Sequence, residues 1–257
     1  MQDGLDQILG SLHSHPAISL CLDYDGTLVP IQSRPELCWL NPTQKDLLRA
    51  LATHPKVRVS IVTGRSMEDI EERVGIQEII YAANHGLEIL GLNNGFQIVR
   101  AAHIRESLQR LAPPLEQILQ LVPGCWVEDK GLSATVHFRG VVESDIPRVS
   151  HAVEDYMMHW PEFIIRHGKR VLEIRPRVDW NKSHAVRWIG ENAFADFREP
   201  LTIFCGDDVT DHDVFRELPS AMTIQVGECH ICAARCCVAD PNELWSFLKE
   251  IAGTLQV

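Results

Sequence analysis

The sequence is 257 residues long and 45% hydrophobic, which is enough apolar material for the core of one large domain or two modest ones. Its formal net charge of −11 argues against nucleic acid and anionic membranes as main partners, because both attract basic surfaces. No stretch is apolar over the ~18 residues that a membrane-spanning helix needs. The first ten residues contain Asp3 and Asp6 but no Lys or Arg, unlike a secretory signal, so a cytoplasmic location is expected.

Helices and strands are predicted to alternate along the first hundred residues. The predicted elements are a helix over 1–16, a strand over 18–22, a helix from 43, a strand over 56–63, a helix after 66, a strand over 78–82 and a hairpin over 87–100 with Asn94-Gly95 at its turn. The run Ile18–Leu22 is apolar throughout, which is typical of a strand buried on both faces. This alternation predicts a parallel sheet covered by helices on both sides.

The middle of the chain has a different pattern. The predicted elements are a helix over 103–122 that is broken at Pro113-Pro114, two strands over 126–139, a helix over 142–160 and a strand pair over 163–174. Many residues of these strands are polar or charged, so we interpret the segment as an inserted α+β unit whose open sheet face covers something polar. The insertion is predicted to span 101–176, and the core to comprise 1–100 and 177–257.

The last third returns to the alternating pattern. The predicted elements are a helix over 181–189, strands over 201–205 and 221–226, a helix over 211–217 and a final helix after Asp240. Eight cysteines are present. Cys21 and Cys205 lie in apolar runs and are expected to be buried. The cluster Cys229–Cys237 has Cys-x-x-Cys spacing but lacks a second matched pair, which favours free thiols over a zinc or redox site.

Asp23 and Asp25 follow directly on the first strand, and Gly26-Thr27 follows them. In extended backbone the two carboxylates point to the same side, at the edge of the sheet where open α/β folds bind their ligands. Close carboxylates repel, and a divalent cation or a division into acid and base removes the conflict. Because Asp-x-Asp-Gly also begins calcium loops, this stretch alone leaves a calcium loop or a capped strand end open.

Three further features lie at predicted strand ends or helix starts of the core. They are Thr63-Gly64-Arg65, Lys182, and Gly206-Asp207-Asp208 with Asp211. The four features together suit phosphoryl transfer. One carboxylate can be the nucleophile, and another can protonate the leaving oxygen and activate water. A hard cation offsets the charge between nucleophile and phosphate, while hydroxyl, ammonium and amide groups bind the phosphoryl oxygens.

In this order, with an insertion between the second and third, the four features resemble the haloacid-dehalogenase-like (HAD) phosphatases. The resemblance implies a Rossmann-like, doubly wound α/β core with an inserted α+β cap. It also implies that Asp23 is the nucleophile and that Asp25 is the general acid and base. Thr63, Gly64 and Lys182 would bind the phosphate.

The same resemblance implies Mg²⁺ as the cofactor. The cation would be held by the Asp23 and Asp207 carboxylates and by the backbone carbonyl of Asp25. Asp208 would lie in or next to the coordination sphere, and Asp211 would support the site.

Longer strings narrow the resemblance to the trehalose-6-phosphate phosphatases over about residues 18 to 248. The strings are Asn84-His85-Gly86-Leu87-Glu88, Val127-Glu128-Asp129-Lys130-Gly131, His137-Phe138-Arg139, Gly168-Lys169, Glu173-Ile174-Arg175-Pro176 and Gly206-Asp207-Asp208-Val209-Thr210-Asp211. The resemblance implies hydrolysis of a small sugar phosphate, trehalose 6-phosphate, in the last step of trehalose biosynthesis. It implies a monomer that functions beside a trehalose-6-phosphate synthase. The implied substrate-binding residues are Arg65, His85, Glu128, Lys130, His137, Arg139, Lys169 and Glu173.

Two positions depart from the family pattern, with Ser183 in place of a glycine and His212 in place of a glutamate. These departures leave the sugar open. Sucrose phosphate, glucosylglycerol phosphate and a glycosyl-3-phosphoglycerate remain alternative substrates. A phosphosugar sensor without catalysis is the alternative outside the class of enzymes.

Overall fold

The computed structural model describes residues 2–32, 34–91, 96–97, 101–168, 170–194, 199–228 and 233–256. The chain divides into two compact units. Unit 1 comprises Met1–Phe96 and Trp180–Val257, and unit 2 comprises Gln97–Asp179. Within the described residues, no helix combines the length and the apolar character that crossing a bilayer requires.

The helices and strands follow one another along both units. The helices are α1 (Gln2–Ser14), α2 (Pro42–Thr53), α3 (Met67–Val74), α4 (Ala101–Leu119), α5 (Ile146–Met157), α6 (Lys182–Asn192), α7 (His212–Glu217) and α8 (Pro241–Leu255). The strands are β1 (Ile18–Leu22), β2 (Val57–Val62), β3 (Ile80–Ala83), β4 (Glu88–Leu90), β5 (Phe96–Gln97), β6 (Trp126–Asp129), β7 (Ala134–His137), β8 (Phe163–Gly168), β9 (Val171–Pro176), β10 (Leu201–Gly206), β11 (Met222–Val226) and β12 (Cys236–Val238).

Unit 1 is built on one sheet with the strand order β12-β11-β10-β1-β2-β3-β4-β5. The pairings from β12 to β3 are parallel, and β4 is antiparallel to β3. The two faces of β1 pack into different hydrophobic cores. Leu20 and Leu22 belong to the core that includes residues of α1, α2, α3 and α8. Cys21 belongs to the core that includes residues of α6 and α7. The predicted parallel sheet with helices on both faces is therefore confirmed.

One strand of this sheet was not predicted. β12 extends the sheet by pairing parallel to β11, with Cys236 opposite Ile224. The strand is short and rich in cysteine, so it carries little of the β-branched and aromatic pattern by which strands are recognised. Cys236 is buried, and the six described cysteines are free thiols. Cys229 and Cys232 lie outside the described residues, as does the turn predicted at Asn94-Gly95.

Unit 2 contains a second sheet, antiparallel, with the strand order β6-β7-β9-β8. Helix α4 contacts β6 and α5, and α5 contacts β8. Helix α4 runs unbroken through Pro113 and Pro114, contrary to the predicted break. A proline inside a helix costs about 3 kcal/mol. The buried apolar face of α4, which includes Leu108, Leu111 and Leu115, offsets this cost.

Candidate active site

The site of unit 1 lies where three neighbouring strands end. Strand β1 lies between β10 and β2 in the sheet. Asp23 follows β1, Asp207 follows β10 and Thr63 follows β2. The N–H of Asp23 still donates to the Cys205 carbonyl at 2.9 Å, and the N–H of Thr63 to the Ala82 carbonyl at 2.9 Å. The parallel pairing thus brings residues that are far apart in sequence to one edge of the sheet.

A buried lysine joins two of the carboxylates. Lys182 begins helix α6, whose N-cap Asn181 accepts from the N–H groups of Ser183 and His184. Lys182 Nζ donates to Asp23 Oδ1 at 2.6 Å and to Asp211 Oδ1 at 2.7 Å. The side chains of Lys182, Asp23 and Asp211 are 3%, 7% and 0% exposed. Both ion pairs are therefore shielded from water, and each buried charge is stabilised mainly by the opposite charge of its partner.

Burial shapes the ionisation of this cluster. Desolvation raises the pKa of Asp23 well above its usual range, and the negative charges of Asp211 and Asp207 add to this effect against the opposing charge of Lys182. Desolvation, together with the charges of Asp211 and Asp208, raises the pKa of Asp207 to about 7. Burial alone would lower the pKa of Lys182, but the Asp211 and Asp23 carboxylates outweigh it and hold that pKa well above its usual range.

Three carboxylates are grouped closely enough to share a cation. Oxygen atoms of Asp23, Asp207 and Asp211 all lie within 4.8 Å of one another. Carboxylate oxygens are the donors that Mg²⁺ prefers. With Asp208, four carboxylates surround the single positive charge of Lys182, and this excess of negative charge is what a divalent cation would neutralise. The residues present therefore fit the Mg²⁺ site that the sequence predicts.

Both carboxylate oxygens of Asp211 accept hydrogen bonds. Its Oδ1 faces Lys182, and its Oδ2 accepts from the N–H groups of Asp207 at 2.9 Å and Asp208 at 3.0 Å. Asp208 instead accepts from the N–H and the hydroxyl of Thr210, both at 2.6 Å. Asp211, which the sequence suggested only as support, thus joins the carboxylate group by geometry. The carboxylate of Asp208, predicted to lie in or next to the coordination sphere, does not belong to this group. Asp25 is predicted to bind the cation through its backbone carbonyl, and its carboxylate is paired with Arg65.

A glycine makes this arrangement of Asp211 possible. A Cβ atom at Gly206 would lie 2.4 Å from Cγ of Asp211, so an alanine there would displace the carboxylate from Lys182. We expect Gly206→Ala to weaken Mg²⁺ binding, measured by titration calorimetry, by about 10- to 100-fold. Gly190→Ala on α6 is the matched control, because its Cβ would meet no atom closer than 3.8 Å. Equal Mg²⁺ affinity of both variants would contradict this role of Gly206.

The loop that is predicted to bind phosphate contains Thr63 and Gly64. Thr63 is 1% exposed, and its hydroxyl accepts from the N–H of Arg65 at 3.2 Å. A Cβ atom at Gly64 would lie 2.6 Å from the His85 ring, so only glycine permits this approach. His85 has a left-handed backbone with φ 59°, and its N–H donates to the Thr63 carbonyl at 2.8 Å. The structure therefore brings His85 to this loop, as its predicted role requires.

Arg65 and Asp25 form a bidentate ion pair at the edge of the site. Arg65 Nε donates to Asp25 Oδ2 and Arg65 Nη2 to Asp25 Oδ1, both at 2.6 Å. Arg65 also contacts Asp69, which in turn contacts Arg73. Asp69 and Arg73 were not singled out in the sequence, although their spacing of four residues within a predicted helix is typical of an ion pair.

The remaining predicted residues lie in unit 2. Glu128 Oε2 contacts His137 Nε2 at 2.7 Å and Lys130 Nζ at 3.7 Å. Cross-strand pairing places Glu128, Thr135 and Glu173 in one row on one face of the sheet. Glu173 forms an ion pair with Arg175. Arg139 follows β7 and is exposed, whereas Lys169 lies outside the described residues.

An aromatic stack on the same face was not predicted. The Trp126 ring stacks on His137 with 3.9 Å between ring centroids and 8° between ring planes. Because Trp126 and His137 are paired residues of β6 and β7, the stack lies beside the row that contains Glu128. Trp126 and Glu128 are two residues apart in β6 and therefore lie on the same face of the sheet, which is the sequence pattern from which Trp126 could have been predicted to lie on this face.

Solved structures establish the class of this fold. The chain is similar to the C-terminal domain of a trehalose-6-phosphate phosphatase from C. albicans, with a TM-score of 0.81, 20% identity and coverage of 98% of this chain and 97% of that one. It is also similar to a trehalose-6-phosphate phosphatase related protein, with a TM-score of 0.80, 27% identity and coverage of 93% and 100%. With its parallel sheet and second antiparallel sheet, the chain has the fold of the HAD phosphatases.

The sequence comparison is more specific. The trehalose-phosphatase family model matches residues 21–240, and the chain belongs to this family. Trehalose-phosphate phosphatase B of Arabidopsis thaliana is 30% identical over 213 residues, which cover 78% of this chain. The chain spans less than two thirds of the length of three curated Arabidopsis relatives, the trehalose-phosphate phosphatases G, B and E, at 58%, 56% and 59%.

Proposed function

We propose that this protein is a Mg²⁺-dependent phosphatase that hydrolyses trehalose 6-phosphate to trehalose and phosphate. The observation that supports this proposal is the buried cluster in which Lys182 joins Asp23 to Asp211, with Asp207 beside them. A nucleophilic carboxylate, a fixed cation and a cation-binding carboxylate group are the parts that phosphoryl transfer through an aspartyl phosphate needs.

In the first half-reaction, Asp23 attacks the phosphorus atom of the substrate. Lys182 holds Oδ1 of Asp23, and we assign the attack to Oδ2. A bond forms between this oxygen and phosphorus, and the bond between phosphorus and the sugar oxygen breaks. Asp25 donates a proton to the departing oxygen, so that trehalose leaves as a neutral alcohol.

In the second half-reaction, water hydrolyses the aspartyl phosphate. Asp25 accepts a proton from the water molecule as its oxygen attacks phosphorus, and the bond from phosphorus to Asp23 breaks. This step restores the carboxylate of Asp23 and the protonated form of Asp25, and it releases phosphate. Thr63, Gly64, His85 and Lys182 are assigned to the phosphoryl oxygens, because they surround the end of β2 and the nucleophile.

The cation site is assigned to the carboxylates of Asp23, Asp207 and Asp211 and the carbonyl of Asp25. The Thr27 hydroxyl donates to Asp207 Oδ1 at 3.2 Å and orients this carboxylate. When bound, Mg²⁺ supplies positive charge that reduces the repulsion between the Asp23 carboxylate and the phosphate. Asp208 contributes its charge to the site, although its carboxylate is engaged by Thr210.

Recognition of the sugar is assigned to the polar sheet face of unit 2. The residues proposed to bind its hydroxyl groups are Glu128, Lys130, His137, Arg139, Lys169 and Glu173. Carboxylate and ammonium groups offer several acceptors and donors, which a disaccharide with many hydroxyl groups requires. We further propose that the protein is a cytoplasmic monomer that functions beside a trehalose-6-phosphate synthase, because a synthase of this kind supplies the substrate.

A phosphate-release assay tests the proposed function. Trehalose 6-phosphate, sucrose phosphate, glucosylglycerol phosphate and a glycosyl-3-phosphoglycerate are compared with and without Mg²⁺. We expect kcat/KM to be at least about 100-fold higher for trehalose 6-phosphate, because unpaired polar groups in a site built for other hydroxyl groups cost this much. We also expect no turnover in the presence of a chelator. Faster release from another glycosyl phosphate would change the substrate, and no release from any of them would favour a sensor.

A further inference from the structure

The resemblance implies that Arg65 binds the substrate, but in the structure its side chain is paired with Asp25. The Arg65 side chain is 7% exposed, whereas the Asp25 side chain is 37% exposed. Arg65 uses Nε and Nη2 for Asp25, Nη1 for Asp69 at 2.5 Å, and Nη2 again for the Pro35 carbonyl at 3.0 Å. A guanidinium has five N–H groups, and four of them are engaged within the protein.

Arg65 is itself held in place by a second buried arginine. Arg73 Nε donates to both carboxylate oxygens of Asp69 at 2.9 Å, and Arg73 Nη1 donates to the Cys38 carbonyl at 2.9 Å. The Arg73 side chain is 5% exposed. Asp69 therefore lies between two arginines, and its pKa is lowered because their hydrogen bonds and charges outweigh its burial.

The loop that follows the first motif is fastened to the same network. Its Pro35 and Cys38 carbonyls accept from Arg65 and Arg73, respectively, and the Tyr24 hydroxyl also donates to the Cys38 carbonyl at 3.1 Å. The Arg65 guanidinium lies over the Tyr24 ring, 5.2 Å from its centroid. Contacts on several sides thus fix the position of the guanidinium before any substrate binds.

From these contacts we infer that Arg65 is a positioning residue for Asp25, and that Asp69 and Arg73 are its support. This inference rests on the proposed function, in which Asp25 exchanges protons with the leaving oxygen and with water. A bidentate guanidinium fixes the plane of a carboxylate, and it leaves a second lone pair on each oxygen for the transferred proton. Orientation of this kind is a large part of the efficiency of a general acid and base.

A double-mutant cycle with Asp25 tests this inference. Arg65→Lys keeps the charge but removes the planar fork. We expect it to lower kcat by about 100-fold with KM changed by less than about threefold, because misplacement of a catalytic group costs this much. In the Asp25→Asn background, we expect Arg65→Lys to cause less than about a threefold further loss, since the group that Arg65 positions is already gone.

The control is Arg49→Lys, because Arg49 forms an arginine–aspartate pair with Asp46 on the surface helix α2. We expect it to leave kcat and KM unchanged. The substrate is the phosphate monoester that the wild type hydrolyses fastest, so that a wrong assignment of the sugar leaves this test intact. A rise in KM with unchanged kcat would instead show that Arg65 binds substrate. An equal loss in both backgrounds would show a general structural effect, and either result would overturn the inference.

A second variant covers the case in which Arg65→Lys does not fold, as judged by circular dichroism. Asp69→Asn keeps Arg65 and removes one of its two carboxylate partners. We expect about a fivefold loss of kcat in the wild-type background, and less than about a twofold loss with Asp25→Asn. Equal losses in the two backgrounds would overturn the inference in this case too.

Discussion

Asp23→Asn is expected to abolish turnover, with kcat reduced by at least about 10⁴-fold, because an amide cannot form the aspartyl phosphate. The fold is expected to remain intact. Asparagine has the shape of aspartate, and Lys182 keeps its ion pair with Asp211. The substitution also removes one charge from a group of carboxylates that repel one another, which offsets part of the lost ion pair.

Steady-state phosphate release and a thermal melt measure these two effects. Asp46→Asn is the matched control, since Asp46 is an exposed aspartate that pairs with Arg49 on α2. We expect the control to retain wild-type kcat. Turnover by Asp23→Asn within tenfold of the wild type would contradict the nucleophile assignment, and loss of turnover together with a collapsed thermal transition would point to misfolding instead.

The positions of Asp23 and Asp207 at neighbouring strand ends could be predicted from the sequence, because the end of a buried strand has a recognisable pattern. Asp23 and Asp207 each follow an apolar run that ends in a Gly- or Asp-rich turn, and parallel pairing brings such ends to one edge of the sheet. Lys182 could be predicted because it lies at the start of a predicted helix. What these residues contact is decided by the packing of β1 against β10 and β2, and that geometry is not encoded in the spacing of any one motif.

The surroundings of the centre were harder to predict. Arg65 carries a charge that suits a phosphate as well as a carboxylate, so sequence alone could not separate the two partners. The structure separates them, because Arg65 precedes α3 and donates to the carboxylates of Asp25 and of Asp69 in the first turn of that helix. His212 is a second example. It departs from the family's glutamate, and the structure buries its ring with its centroid 5.7 Å from that of Phe215, outside the group formed by the Asp23, Asp207 and Asp211 carboxylates.

Loss of the buried lysine is expected to have the largest effect on stability. In metal-free buffer, Lys182→Met would leave Asp23 and Asp211 without their shared cation while keeping most of the side-chain volume. Removal of one partner of a buried ion pair costs about 3 to 5 kcal/mol, because the remaining charge stays desolvated. We expect the free energy of unfolding, measured with urea, to fall by about this amount at pH 8.

The pH dependence of this loss has a definite sign. Burial already raises the pKa values of Asp23 and Asp211 in the folded protein, and Lys182 opposes this rise. Removal of Lys182 therefore lets both carboxyl groups keep their protons to still higher pH than in the unfolded chain. A group whose pKa is raised by folding stabilises the folded state below its unfolded pKa and loses this contribution as pH rises. The deficit of Lys182→Met should therefore grow as pH rises above the usual pKa range of an aspartate.

Two variants make the cause of this effect testable. Adding Asp211→Asn to Lys182→Met removes one of the two stranded carboxylates, so we expect about half of the lost stability to return. Lys249→Met, at an exposed position on α8, should change stability by less than about 0.5 kcal/mol at every pH. If the double variant were no more stable than Lys182→Met, the loss would come from packing rather than charge. The packing of the side chains would then stabilise the cluster, and a divalent cation would not be needed to neutralise the negative charge of its carboxylates.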